Sequence, residues 1–534
     1  MDTPKSTMLE LPFELQEQIL SRMHPLDRLS FGLTCRRLAD LMYMSSYLKE
    51  ILFVIRGGSA ELCKSLLMRS RRKYWNLKVH RTDLSEFDAE FWSRVGGEIR
   101  TLEIYRCRWS TANLHAILQH CTNLESFEFG GWLPLALQVE APDNVYLMSA
   151  VNIRHLHLDI SLTVDSLDRL LQWMPKLTSV SLSRLPVLKT GETLRDIPSI
   201  LESQQRLTRL QMTIEGVDDS VAIRLVKKHS TCLRELRMHY RYRPTEGMMS
   251  AICECEKLRI LSMQGVRGEI WPERLFSECP DLETLDVTLI GATGLCHRME
   301  RLKKLRELRL PSDTTPDWAG ISDCLSTLRM MEVRLIPDSL EQYQNLSRFK
   351  ELRALTLSGV EPTPECFAVL VENLDKLEQF ELECENLTDS DGVKFNLLRN
   401  LRRLKLNSAS GFTDVTFESG IGSPALEKLA LECCLLSDEG LARIAAHHRK
   451  MTEIVLTSCN ALTDDGVLNF LQREYTLRRL ALNKCAALTE GTVSAVATVC
   501  PRLRSFRWIS YPGLSRETVT QFVQRRPEIE ILEI

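Results

Sequence analysis

From Leu48 to the end of the chain, one pattern returns about every 25 residues: an apolar residue followed three and five positions later by two more, L-x-x-L-x-L. Clear copies are LRELRL at Leu305, LRALTL at Leu352, LEQFEL at Leu377, LRRLKL at Leu401, LEKLAL at Leu426 and LRRLAL at Leu477. Weaker copies extend the series, so that starts fall at Leu48, Tyr74, Ile99, Leu124, Ile153, Leu177, Leu207, Leu233, Leu258, Leu282, Leu305, Leu328, Leu352, Leu377, Leu401, Leu426, Met451, Leu477, Leu503 and Ile529. Self-similarity at a fixed period constrains the fold more than the length of 534 residues does. A repeat this short cannot bury an apolar face alone, so neighbours must stack into a solenoid.

The spacing lies in the 20–29 residue window of leucine-rich repeats. Within each repeat the L-x-L portion alternates, which reads as a short strand with one buried face. Positions 1, 4 and 6 face inward, and positions 3, 5 and 7 face the opposite, open surface. A helical stretch follows. In LSDEGLARIAAHH (Leu436 to His448), Leu436, Leu441, Ile444 and Ala445 fall near helical spacing. Ser437 suits the N-cap, and Asp438 and Glu439 follow where the helix dipole favours acids. LTDDGVLNFL and LTEGTVSAVA repeat the scheme. The expected fold is therefore α/β: a leucine-rich-repeat solenoid with a curved parallel sheet inside and helices outside.

Net charge is −3, from 68 basic and 71 acidic residues, which gives no global attraction to nucleic acid or anionic membrane. No run of 18 apolar residues suggests a membrane span, and Met1 to Met8 lacks an apolar core for a signal peptide. The 17 cysteines are odd in number and placed periodically. Cys107, Cys434, Cys459 and Cys485 each lie eight residues after a repeat start, and Cys121, Cys255, Cys279 and Cys500 each lie three before the next. Cysteine behaves as a small buried hydrophobe, so the expectation is packing as thiols in a reducing setting, the cytoplasm, the nucleus or both. The pairs Cys253/Cys255 and Cys433/Cys434 have no matching partner pair at zinc spacing.

Residues 9–46 do not follow the repeat. Leu11, Leu15, Ile19 and Met23 form an amphipathic stripe that Pro25 ends; Leu26, Leu29 and Leu33 make a second apolar face, and Leu38 and Leu41 a third. Three short helices are too few for a self-sufficient core. They read either as a cap on the solenoid or as a docking module. The run L-P-x-E-L-x-x-x-I-L, then P-L-D-R-L, then C-R-R-L, resembles an F-box, although the family often has Trp where this chain has Leu38. The repeats, with their L-T-D-x-G segments and turn cysteines, resemble those of F-box/leucine-rich-repeat proteins. The resemblance implies a three-helix F-box at 9–46, after a disordered 1–8 and before a solenoid of about 20 repeats over 47–534. It also implies the substrate-recognition subunit of a Skp–cullin–F-box ubiquitin ligase. Leu11, Pro12, Leu15, Ile19, Leu20, Leu26, Leu29 and Leu33 would bind the Skp adaptor, and the repeats would hold a substrate protein for ubiquitination and proteasomal degradation.

Nothing in the chain reads as catalytic. There is no G-x-x-x-x-G-K-[ST] loop and no G-x-S-x-G elbow. His447 and His448 sit at a helix end, where a basic side chain meets the dipole favourably. His155, His157 and Asp159 share one strand face, but no nearby ligand completes a metal set. The open-face positions that could touch a protein partner include Tyr105, His155, His157, Arg209, Arg237 and His239. Two repeats are longer than the rest, and the first carries Trp132 in what reads as a loop, where aromatic residues often anchor interfaces. The sequence thus predicts a non-catalytic ligase subunit with Skp adaptor, cullin and substrate partners, no cofactor or metal, and no nucleic-acid or membrane partner. The alternative is a non-ligase scaffold or inhibitor with a helical N-terminal cap.

Overall fold

The computed structural model describes residues 13–23, 28, 34, 36, 39, 48–70, 72–130, 150, 152–159, 173–183, 206–214, 219–242, 244–265, 274–287, 299–310, 326–336, 338–418, 420–473, 476–500, 502–509, 514–526 and 529–533. The chain divides into two compact units, Met1–Leu258 and Arg259–Ile534.

The first unit holds the helix Phe13–Arg22 and a parallel sheet. Its strands are Leu52–Arg56, Asn76–His80, Thr101–Tyr105, Ser126–Gly130, His155–Asp159, Ser179–Leu182, Arg209–Ile214 and Glu235–Tyr240. The register is in step, so that Leu77, Leu102, Phe127, Leu156, Val180, Leu210 and Leu236 form one buried row. The second unit repeats the arrangement with the strands Ile260–Gln264, Thr284–Val287, Glu307–Leu310, Met330–Val333, Ala354–Leu357, Gln379–Glu383, Arg403–Asn407, Lys428–Glu432, Glu453–Thr457, Arg479–Asn483, Ser505–Ile509 and Glu530–Glu533. There the matching row runs through Leu355, Phe380, Leu404, Leu429, Ile454, Leu480 and Phe506. Most strands bury alternate residues, as Arg403–Asn407 does with Leu404 and Leu406. The inner row packs on helices: Phe367 of helix Pro364–Asn373 and Phe395 lie 6.5 and 6.2 Å, centroid to centroid, from Phe380 on the strand.

Two repeat starts differ from the sequence reading. Leu52 pairs with Asn76, so the first strand is in register two residues later than a start at Leu48 requires. Leu48 is buried, but just before the strand. At the other end Glu530 pairs with Ser505, one residue earlier than a start at Ile529 requires. Both errors fall at the ends of the series, where the pattern has only one neighbouring repeat to fix its phase.

The strand ends explain the turn cysteines. Arg106, Cys433, Ser458 and Lys484 adopt left-handed backbone (φ 52° to 56°), and a cysteine follows each. The turn points that thiol back under the sheet. Cys107 donates to the Val79 carbonyl (3.5 Å), Cys434 to that of Phe412 (3.3 Å) and Cys485 to that of Leu456 (3.7 Å). A small weak donor therefore satisfies a carbonyl of an earlier repeat where a larger side chain would not fit. Burial pushes the Cys434 thiol up to about 12.

The L-T-D-x-G segments have a related logic. Ser437 caps the helix Asp438–His447, as its sequence position suggests. Asp438 also reaches forward, accepting from the Thr463 amide (2.9 Å) and hydroxyl (2.6 Å) at the start of the next helix. Asp389 does the same for Thr413, Asp414 for Ser437 and Asp464 for Thr489. The glycine makes room for this acid: a Cβ on Gly466 would lie 1.9 Å from Asp438 Oδ1, and one on Gly440 2.1 Å from Asp414 Oδ1. Burial alone would raise the Asp464 carboxyl, but the hydroxyls and amides of Thr489 and Thr492 hold it below the usual range. The repeated Asp thus joins each helix to the next by charge-assisted hydrogen bonds.

Candidate functional site

The N-terminal helix Phe13–Arg22 shows two faces. Gln16 and Leu20, four residues apart, are 4% and 1% exposed. Leu15 and Ile19, also four apart, are 45% and 41% exposed. The apolar stripe that the sequence marks is therefore turned outward at these two residues. Leu20 corrects the sequence reading: five residues beyond Leu15, it lies on the opposite side of the helix and packs into this chain. Arg28, which sequence reasoning passed over, is 4% exposed; its Nε donates to the Met23 carbonyl (3.1 Å), and its guanidinium pairs with Glu50. Its signal was its place in the P-L-D-R-L motif, between Asp27 and Leu29. Leu11, Pro12, Leu26, Leu29, Leu33 and residues 1–8 lie outside the described residues, as does Trp132.

The open face of the first sheet carries the other sequence candidates. Tyr105 donates to Glu128, and Lys78 sits 2.8 Å from Glu103 with its Nζ 4.8 Å from the Tyr105 ring centre. Burial, then the Glu128 carboxylate, raises the Tyr105 phenol well above its usual range. Gly130, in the intervening strand, brings Tyr105 and Asp159 together, because a Cβ there would lie 3.4 Å from the Tyr105 ring and 3.0 Å from Asp159 Cβ. His155 and Asp159 are exposed, and His157 Nδ1 lies 2.7 Å from Ser181 Oγ. Partial desolvation by the neighbouring strands, then the charges of Arg209 and Arg154, lowers the His155 imidazole although the side chain stays open to solvent. Arg209 (3.3 Å) and Arg237 (2.6 Å) share Glu235, and His239 stands exposed beyond them. The face thus splits into separate polar groups around Tyr105, His157 and Glu235. Among the described residues no three His, Cys, Asp or Glu side chains are grouped to hold a metal ion.

His448 differs from its sequence reading. It is 1% exposed, and its Nε2 accepts the Ile421 amide at 3.2 Å. Burial, then the neighbouring His447, lowers its imidazole to about 4. It is neutral, so it acts as a buried acceptor, whereas His447 is exposed at the helix end.

The strands of the second unit have a feature that the sequence candidates omit. Their open face sinks into a hollow of about 230 Å³ across the strands from Met330–Val333 to Glu453–Thr457. The sheet dips there because Ala354 and Ala430 stand where neighbouring strands carry Gln379, Arg403 and Lys405. Its sequence signal was the small residues at open-face positions, visible only once the strands were aligned side by side.

Residues 8–49 match the F-box domain family. That match covers the N-terminal segment, and the strand-and-helix repeats described above follow it. An F-box is a module that docks Skp-type adaptors, and its presence supports a substrate-adaptor role in a ubiquitin-ligase-type complex. Solved structures similar to the chain include the yeast Rad7 and Elc1 complex (18% identity, TM-score 0.43, covering 58% of this chain and 83% of that one). An internalin from Listeria monocytogenes has 14% identity and a TM-score of 0.36, covering 64% of this chain and 91% of that one. A leucine-rich-repeat protein from Leptospira interrogans has 15% identity and a TM-score of 0.32, covering 78% and 91%. No curated protein is significantly similar in sequence. Among the described residues no helix is long and apolar enough to cross a membrane.

Proposed function

We propose that this protein is the substrate-recognition subunit of a Skp–cullin–F-box ubiquitin ligase. The carrying observation is the pair Leu15 and Ile19, exposed on the helix Phe13–Arg22 of the F-box while Gln16 and Leu20 hold that helix to the chain. Two exposed aliphatic side chains one turn apart suit a helix or groove of an adaptor. By resemblance to the F-box pattern, Leu11, Pro12, Leu26, Leu29 and Leu33 are further proposed adaptor contacts, and the repeats hold the substrate. The role is non-catalytic: it supplies proximity, making transfer from a charged conjugating enzyme effectively intramolecular. The proposed setting is the cytoplasm or nucleus, which suits cysteines packed as buried thiols.

Replacing Leu15 and Ile19 together with Asp tests the reading. Capture of the Skp adaptor and cullin from cells should fall to background, the thermal midpoint of the repeats should stay within a few degrees, and the substrate should accumulate. Wild-type capture by the double variant, or no capture by the wild type, refutes the ligase role and leaves a scaffold with a helical cap.

A further inference from the structure

The hollow in the second unit is built from two neighbouring rows of the open face. One row runs Met330, Ala354, Gln379, Arg403, Lys428, Glu453, and the next Thr356, Glu381, Lys405, Ala430, Val455. Small and apolar residues lie toward its two ends, Met330 with Ala354 at one and Ala430 with Val455 at the other. Polar residues run beside them: Lys405 is paired with Glu381 at the centre, and Lys428 lies 2.8 Å from Glu453 on the same two strands as Ala430 and Val455. Arg403 Nη1 lies 3.5 Å from Gln379 Oε1, and among the described residues no carboxylate forms an ion pair with it. The lining therefore carries three cations against two carboxylates, and the surplus positive charge sits on an exposed guanidinium midway between the apolar ends.

We propose that this hollow docks an extended peptide segment with one Asp or Glu side chain between two apolar ones. This deepens the receptor reading, since such a segment would be the part of a substrate that the protein holds. Charge selects a carboxylate over a phosphate: one surplus cation matches one negative charge, whereas a second would face Glu381 unmatched. Spacing selects an extended chain. The strands bearing Ala354 and Ala430 are three spacings apart, about 14 Å at roughly 4.8 Å each, which about four extended residues span. The small floor residues admit apolar side chains, and the Lys, Arg and Glu stems wall them in.

Panning the purified full chain against a displayed library of random unphosphorylated nonapeptides tests this. Selected sequences should carry Asp or Glu between two apolar residues about four positions apart. Arg403→Glu should weaken a selected peptide by about tenfold or more and shift a fresh selection toward Lys or Arg at the acidic position. Ala430→Trp should cause a similar loss by filling one end of the hollow, with an unchanged thermal midpoint. Absence of enrichment, or peptides that bind both variants as well as the wild type, overturns the proposal. So does stronger binding when phosphoserine replaces the acidic residue. A dimer that Ala430→Trp dissociates would assign the hollow to a second copy of the chain and overturn it too. Adaptor capture, read on the same preparations, separates the two readings. Peptide selection without adaptor capture leaves the hollow and removes the ligase role; capture without selection does the reverse.

Discussion

Lowering the pH from 7 to 4 should cost this protein stability through one side chain, His448. It is buried and accepts the Ile421 amide at Nε2, so protonation there would set one N–H against another. Its folded-state pKa is about 4, against an ordinary value of 6.5. A depressed pKa means that the unfolded chain binds the proton first. The contribution is complete above about pH 6.5 and is lost progressively as the pH falls toward 4. At about 1.4 kcal/mol per pH unit, the full loss is about 3 kcal/mol. The assay compares urea unfolding of the wild type and His448→Gln between pH 7.5 and 4. Glutamine keeps an acceptor but does not titrate, so carboxylates common to both proteins cancel in the difference. At neutral pH the variant should be less stable by about 1–2 kcal/mol, for an imperfect fit and hydrogen bond. The gap should close or reverse below pH 5. A difference that stays constant from pH 7.5 to 4 refutes the buried, neutral imidazole.

Other outcomes follow from the same structure. Leu404→Ala should cost about 2–5 kcal/mol, and amide exchange should quicken in strands Gln379–Glu383 and Lys428–Glu432 before it does in Ser505–Ile509. Gly466→Ala should lower the thermal midpoint by driving Asp438 off Thr463, and should cost less in an Asp438→Gly background, a coupling that a double-mutant cycle reads directly. Adding a reductant should leave the unfolding midpoint unchanged, because the turn cysteines Cys107, Cys434, Cys459 and Cys485 are thiols that donate to backbone carbonyls; a large drop would mean that the turn cysteines are bonded.

Most of the fold was legible in the chain because the repeat states it many times. One L-x-x-L-x-L copy is weak, but successive copies fix strand, buried face and phase together, and the Leu404–Leu429–Ile454–Leu480 row follows from counting alone. The phase failed at Leu48 and Ile529, where a strand has a neighbour on only one side. Ser437 was readable as a cap because capping is local, decided within three residues. The F-box was readable as a motif, yet the division of its first helix into an outward Leu15/Ile19 face and an inward Gln16/Leu20 face was not. A polar Gln on the buried side contradicts the apolar pattern, and only packing against the chain decides it.

The sequence by itself determined what recurs locally: strand alternation, helix caps, the turn cysteine and the Asp–x–Gly spacing. Tertiary structure decided what depends on residues some 25 positions apart meeting across neighbouring repeats. Gly466 is required by Asp438 of the preceding repeat, and His448 is neutral chiefly because it is buried, where its Nε2 accepts the Ile421 amide of the preceding repeat. The hollow exists because Ala354 and Ala430 come into line beside Arg403 and Lys405. A single repeat specifies its own strand and helix, but the environment of each side chain is set by the repeats on either side.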